Sequence, residues 1–121
     1  MRKILIVDDD DDLTDIVSRI LIQAGFDAHI HPNGVNVTDV VKYYNPDLIL
    51  LDIRLYGQSG TDICKEIKRR YYMPIILFSA YIKQGEAYTD CDADGFLAKP
   101  FNLTDLLNII TQHLEPSKEI A

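Results

Sequence analysis

The chain has 121 residues, of which 47% are hydrophobic and 26% charged, and its formal net charge is −7. This length predicts one domain spanning residues 1–121, and the apolar content excludes a disordered chain. The acidic excess argues against nucleic-acid binding by this domain, because Lys and Arg are what hold phosphate backbones.

Short apolar runs alternate with amphipathic stretches in the first half of the chain. Residues 4–7 form a continuous aliphatic run, which is typical of a strand covered on both faces. Apolar residues then recur at helical spacing over 13–24, before Gly25, which stands where a helix ends. Residues 27–30 predict a second strand. Residues 37–44 predict a second helix, although its β-branched residues are weak helix formers.

The second half continues the same alternation. Residues 48–51 and 74–78 predict two more buried strands, and a helix follows Gly60, with Lys65, Lys68, Arg69 and Arg70 facing outward. Residues 82–89 are polar and only weakly periodic. Residues 95–98 predict a fifth strand. A last helix follows Asn102, and its predicted buried stripe is Leu103, Leu106, Leu107, Ile110 and Leu114.

Strands that alternate with helices predict an α/β fold, in which helices cover both faces of a parallel sheet. Ligands of such sheets bind at the carboxyl ends of the strands. The residues at these ends are Asp8 and Asp9, Asp52, Ser79 and Lys99, after the first, third, fourth and fifth strands.

Three carboxylates gathered at one edge repel one another and need a cation. Oxygen ligands suit Mg²⁺, and no His or Cys stands at these strand ends to favour zinc. Asp52 could act as a nucleophile that forms an aspartyl phosphate, with the metal and Lys99 stabilising the transferred oxygens and Ser79 donating a hydrogen bond. Taken singly, each residue also fits a plain role, such as a helix start for residues 8–12 or a surface charge for Lys99. What indicates a phosphoryl-acceptor site is that all these residues are expected at the same edge of the sheet.

The remaining reactive side chains carry no comparable pattern. Cys64 and Cys91 lack metal-binding spacing and are interpreted as ordinary thiols. His29, His31 and His113 are interpreted as surface or rim residues and not as phosphoryl donors. No apolar run approaches the roughly 20 residues that span a bilayer, and the N-terminus lacks a secretory signal, so a cytoplasmic protein without membrane association is expected.

Four motifs closely resemble the receiver domain of two-component response regulators, and the resemblance covers essentially the whole chain. They are KILIVDD at residues 3–9, PDLILLDI at 46–53 with Gly60 beyond it, PIILFSA at 74–80 and ADGFLAKPF at 93–101. The resemblance implies a flavodoxin-like sheet in the strand order 2-1-3-4-5. Lys99 follows Ser79 by 20 residues, a couple fewer than is usual in this family, which predicts that the fourth helix is shortened or disordered. It also implies that this domain is a phospho-acceptor switch and not a conventional enzyme.

The resemblance further assigns roles to residues. Asp52 would accept a phosphoryl group from a sensor histidine kinase or a histidine phosphotransfer protein. Mg²⁺ would be held by Asp8, Asp9, Asp52 and the backbone carbonyl of Arg54. Lys99 would pair with the phosphoryl group, and Ser79 and Phe96 would form the conformational switch. The peptide bond between Lys99 and Pro100 is expected to be cis. Tyr81 could shield the phosphoryl group from hydrolysis. Whether the domain forms a homodimer is left open.

Three alternative functions compete with this interpretation. A haloacid-dehalogenase-type phosphatase needs a second Asp two residues after the nucleophile, where this chain has Arg54, and a cap domain for which there is no room. A flavodoxin-like nucleotide binder needs a phosphate loop after the first strand, where five aspartates would repel phosphate. A degenerate receiver that acts as a phosphorylation-independent docking module remains the alternative.

Overall fold

The structure is a computed structural model that describes residues 1–80 and 91–114. The strands are β1 (Lys3–Val7), β2 (Asp27–His31), β3 (Leu48–Asp52), β4 (Ile75–Ser79) and β5 (Gly95–Ala98). The helices are α1 (Asp11–Gln23), α2 (Val37–Tyr44), α3 (Gly60–Arg70) and α4 (Leu103–Leu114).

All five strands pair in parallel in one sheet, in the order β2-β1-β3-β4-β5. The predicted α/β class and the flavodoxin-like strand order are therefore confirmed. The strand bounds differ from the sequence prediction by one residue at most: β2 includes His31, and β4 runs one residue later than expected. The predicted shortened fourth helix over 82–89 and the predicted shielding role of Tyr81 lie outside the described residues.

The core consists of two layers, one on each face of the sheet. Leu5, Val7, Ile49 and Leu51 point to one face, where α2 and α3 cover them. Their strand neighbours in sequence, which include Ile4, Ile6, Leu48 and Leu50, point to the other face under α1 and α4. Because both faces of the central strands are buried, these strands are continuous aliphatic runs without polar alternation.

Two side chains depart from the sequence prediction. Leu103 is 51% exposed, although its spacing placed it in the buried stripe of α4. It begins the helix, and a residue at a helix end has packing neighbours on one side only. Lys68 was expected to face outward, but its side chain is only 17% exposed because its ammonium group bonds to Asp94 and to the carbonyl of Met73.

Side-chain caps fix where α1 and α4 begin. Asp10 accepts a hydrogen bond from the backbone N–H of Leu13 at 3.1 Å, and Asn102 accepts one from Asp105 at 2.8 Å. Each cap satisfies a backbone donor that the first helical turn leaves without a partner. The cap at Asp10 therefore makes α1 begin two residues after Asp9. In the part of the chain described here, no helix is both long and apolar enough to cross a membrane.

Candidate phosphoryl-acceptor site

Four strand ends deliver polar side chains to one edge of the sheet. Asp8 follows β1 directly, Asp52 ends β3, Ser79 ends β4 and Lys99 follows β5. Since parallel strands all finish at the same edge, residues far apart in sequence become neighbours. The structure thus brings together the residues that the sequence singled out.

The centre of this edge is an acidic cluster. One carboxylate oxygen each from Asp8, Asp9 and Asp52 can be chosen so that all lie within 4.8 Å of one another. Asp8 is 1% exposed and Asp52 is 6% exposed, whereas Asp9 is exposed to solvent. Asp8 is held in place by a hydrogen bond that its Oδ1 accepts from the N–H of Asp10 at 2.9 Å.

Lys99 reaches into the cluster from β5. Its Nζ lies 2.7 Å from Oδ2 of Asp8 and 3.8 Å from Oδ2 of Asp52, and it also lies 4.9 Å from the ring centre of Phe78. One ammonium group cannot neutralise three carboxylates. An all-oxygen donor set with excess negative charge is the chemistry that a hard divalent cation prefers, so the residues present fit Mg²⁺.

The fold raises the pKa of Asp52 to about 6. Burial is the largest cause, because it disfavours the charged carboxylate, and the charge of Asp8 adds to it. Lys99 and the hydrogen bond that Oδ1 accepts from the N–H of Ile53 at 2.8 Å both lower the pKa, and Asp9 raises it slightly. At neutral pH the carboxylate is therefore mostly ionised.

The first residue of α3 packs closely against the backbone of Asp52 and Ile53. The N–H of Gly60 donates to the carbonyl of Ile53 at 2.7 Å. A Cβ atom at position 60 would collide with the backbone carbonyl of Asp52, so only glycine allows the helix to come this close. The sequence marked Gly60 by its distance from Asp52 but gave no sign of this contact. Arg54, the predicted carbonyl ligand, lies in the loop between Asp52 and α3.

The strands β4 and β5 connect Ser79, Lys99 and Phe96. The N–H of Lys99 donates to the carbonyl of Ser79 at 3.0 Å, and the Ser79 residue is 3% exposed. The peptide bond between Lys99 and Pro100 is cis, as expected. Phe96 is partly buried and packs against the core layer of α2 and α3.

The acidic cluster of Asp8, Asp9 and Asp52 includes no cysteine or histidine side chain from the described residues. Cys64 and Cys91 are both buried, and Sγ of Cys64 donates to the carbonyl of Cys91 at 3.3 Å. Burial raises the pKa of the Cys64 thiol, which keeps it protonated and unreactive. His29 is exposed, and His31 and His113 are partly exposed, so the surface or rim interpretation holds for all three.

Comparison with known proteins agrees with this geometry. The family model described as "Response regulator receiver domain" matches residues 4–111. This chain belongs to the response regulator receiver domain family. Receiver domains are part of two-component systems, so the resemblance stated from the motifs is correct.

Solved receiver structures share the fold along almost their whole length. The BeF₃-activated N-terminal receiver domain of Klebsiella pneumoniae RstA is 26% identical, with a TM-score of 0.90 over 94% of this chain and 99% of that one. A two-component response regulator from Clostridium difficile is 25% identical, with a TM-score of 0.91 over 98% and 99%. A CheY-like receiver protein from Methanospirillum hungatei is 30% identical, with a TM-score of 0.83 over 95% and 94%.

Proposed function

We propose that this receiver domain accepts a phosphoryl group on Asp52 in a Mg²⁺-dependent reaction. The observation that carries the proposal is the acidic cluster of Asp8, Asp9 and Asp52, with Lys99 bonded to it. Asp52 is the member that combines a buried carboxylate at a strand end with a bonded N–H from Ile53. The donor would be a phosphohistidine of a sensor kinase or of a phosphotransfer protein.

The transfer makes one bond and breaks one. A carboxylate oxygen of Asp52 forms a bond to phosphorus as the bond from phosphorus to the donor nitrogen breaks, and the nitrogen leaves with that bond's electron pair. Asp8, Asp9, Asp52 and the carbonyl of Arg54 would hold Mg²⁺, which when bound supplies positive charge to the phosphoryl oxygens. Lys99, which pairs with Asp8 in this structure, supplies a second positive charge to the same oxygens.

Ser79 and Phe96 would convert the modification into a change of surface. A phosphoryl group adds about −1.5 to −2 charges and three acceptor oxygens at pH 7. These oxygens attract the hydroxyl of Ser79 and the ammonium of Lys99, whose backbones are already hydrogen-bonded to each other. Phe96, two residues before the strand partner of Ser79, then moves into the vacated space. This biases the domain toward one of two surfaces that partners distinguish.

Labelling with acetyl phosphate tests the proposal. We expect intact mass spectrometry to show one added phosphoryl group on the wild type with Mg²⁺ and none with EDTA. Asp52→Ala should not be labelled, whereas Asp62→Asn, which removes an exposed carboxylate from α3, should be labelled like the wild type. Labelling of Asp52→Ala, or no labelling of a folded wild type, would contradict the proposal, and the second result would favour the docking-module alternative.

A further inference from the structure

Two loops beside the acidic cluster are bonded to each other. The first loop, residues 32–36, joins β2 to α2, and the second, residues 53–59, joins β3 to α3. The backbone N–H of Gly34 in the first loop donates to the carbonyl of Tyr56 in the second at 2.7 Å. The position of the second loop therefore depends on the first loop as well as on its own strand and helix.

The approach of the two loops at Gly34 leaves no room for a side chain. A Cβ atom at this position would lie 2.5 Å from the carbonyl oxygen of Gln58, 2.9 Å from its nitrogen and 3.1 Å from the carbonyl oxygen of Tyr56. These are backbone atoms, so they cannot rotate away as the end of a flexible side chain could. Glycine is required at position 34 by this contact, since its φ angle is not among the positive ones.

The first loop is itself fixed to the acidic edge of the sheet. Oδ1 of Asn33 accepts the N–H of Val35 at 2.8 Å, and Nε2 of His31 donates to the carbonyl of Val35 at 2.7 Å. The carbonyl of His31 accepts the N–H of Asp8 at 3.2 Å. A chain of hydrogen bonds thus connects the residue that begins the acidic cluster with the loop that carries Gly34.

Arg54 lies between two fixed points of the second loop. On one side, the carbonyl of Ile53 accepts the N–H of Gly60, and on the other side the carbonyl of Tyr56 accepts the N–H of Gly34. Because Ile53 and Tyr56 are both held by these bonds, the two residues between them, Arg54 and Leu55, have few backbone orientations open to them. A carbonyl that is oriented before a cation arrives binds it without a further ordering cost.

We propose that Gly34 is a positioning residue for the metal site, whose bond to Tyr56 holds the loop 53–59 so that the carbonyl of Arg54 is directed at the cation. This inference rests on the proposed function, because it assumes that Asp8, Asp9 and Asp52 bind Mg²⁺. Gly34 does not touch the cation. Its effect passes through the backbone of the second loop.

Calorimetric titration with Mg²⁺ tests this role. We expect Gly34→Ala to bind Mg²⁺ roughly 10-fold more weakly than the wild type, the size of effect seen when a supporting partner of a metal ligand is lost. Gly25→Ala is the matched control: its φ of 99° strains an alanine, but open space surrounds it and it lies at the far end of α1. This variant should lose stability and keep wild-type affinity.

A milder variant keeps the test decisive where Gly34→Ala fails to fold. Asn33→Ala removes the bond to Val35 without a collision, and it should bind Mg²⁺ more weakly than the wild type, though less so than Gly34→Ala. In metal-free protein, the amide of Gly34 should also exchange with solvent faster in Asn33→Ala, which reports the loop contact independently of the metal.

Three results would overturn the inference. They are wild-type Mg²⁺ affinity in the folded loop variants, unchanged exchange of the Gly34 amide in Asn33→Ala, and an equal loss of affinity in Gly25→Ala, which would indicate a general effect of stability. Failure of the proposed function looks different, because the wild type itself would then not bind Mg²⁺ or not accept a phosphoryl group.

Discussion

At the scale of single residues, burial makes the ionised form of the Asp52 carboxylate costly. The fold raises its pKa to about 6, whereas an aspartate in an unfolded chain has a pKa of about 3.9. The folded state therefore keeps its proton to higher pH than the unfolded state does. The contribution of this group to stability is fully present below about pH 4 and is lost as the pH rises through about 6.

Asp52→Asn should for this reason stabilise the metal-free protein at neutral pH. The amide carries no charge, and its Oδ1 can still accept the N–H of Ile53. We expect a gain of about 2–3 kcal/mol at about pH 7.5, shrinking toward zero at about pH 4. Urea unfolding in EDTA across this range measures it.

The control for charge removal is Asp62→Asn, which removes one exposed carboxylate and should change stability little at either pH. A gain in Asp52→Asn that is the same at both ends of the pH range would contradict the account, because it would have a cause other than ionisation. So would a loss of stability at neutral pH.

At the scale of elements, Asp94 joins two strands and a helix. Its Oδ2 accepts Nζ of Lys68 on α3 at 2.6 Å and the N–H of Ile75, the first residue of β4, at 2.8 Å. Asp94 itself immediately precedes β5 and donates its N–H to the carbonyl of Ile75. The edge strand that carries Phe96 is thus fixed at its start by one carboxylate.

Asp94→Ala should destabilise the domain by about 2 kcal/mol, because it removes two hydrogen bonds to a charged group, one of them partly buried. Asp94→Asn should lose less, since its amide oxygen can still accept the N–H of Ile75. Urea unfolding measures the free energies of unfolding of wild type, Asp94→Asn and Asp94→Ala, which should fall in that order. Backbone amides of β5 should show the largest increase in exchange with solvent. Equal stability of wild type and Asp94→Ala would show that β5 does not depend on this carboxylate.

The elements themselves could be predicted because each one is encoded locally. The aliphatic runs of the strands and the helical stripes with their capping residues need no knowledge of distant neighbours. The edge at which Asp8, Asp52 and Lys99 meet followed from the parallel topology, since strand ends alone decide it.

Contacts that depend on packing between distant segments could not be predicted. Nothing in the spacing shows that Lys99 lies closer to Asp8 than to Asp52, a difference between 2.7 and 3.8 Å. The burial of Lys68 required knowing that Asp94 would come beside it. The contact between Gly34 and Tyr56 joins two loops, and neither loop's sequence indicates that the other packs against it. Each of these depends on the final positions of whole elements, which local propensity does not specify.

At the scale of the whole molecule, folding concentrates like charges in a chain that already has a net charge of −7. The unfolded chain keeps Asp52 apart in water from the adjacent pair Asp8 and Asp9, whereas the folded chain gathers oxygens of all three within 4.8 Å of one another. A divalent cation that needs this cluster binds the folded state and not the unfolded one. Mg²⁺ should therefore stabilise the fold as a whole by mass action.

Thermal unfolding with increasing Mg²⁺ measures this coupling. At a Mg²⁺ concentration about 100-fold above the Kd, the gain is about 2.7 kcal/mol, which corresponds to a rise in Tm of roughly 10 °C for a domain of this size. Asp9→Asn should fold normally, because Asp9 is exposed, yet it should lose most of the rise because one ligand loses its charge. An equal rise in Tm for wild type and Asp9→Asn would mean that Mg²⁺ acts by general screening of an acidic protein. A matching rise in Tm with NaCl of the same ionic strength would lead to the same conclusion. A rise limited to Mg²⁺ and to proteins with the intact cluster would place the binding energy at the edge of the sheet where the phosphoryl group is proposed to attach.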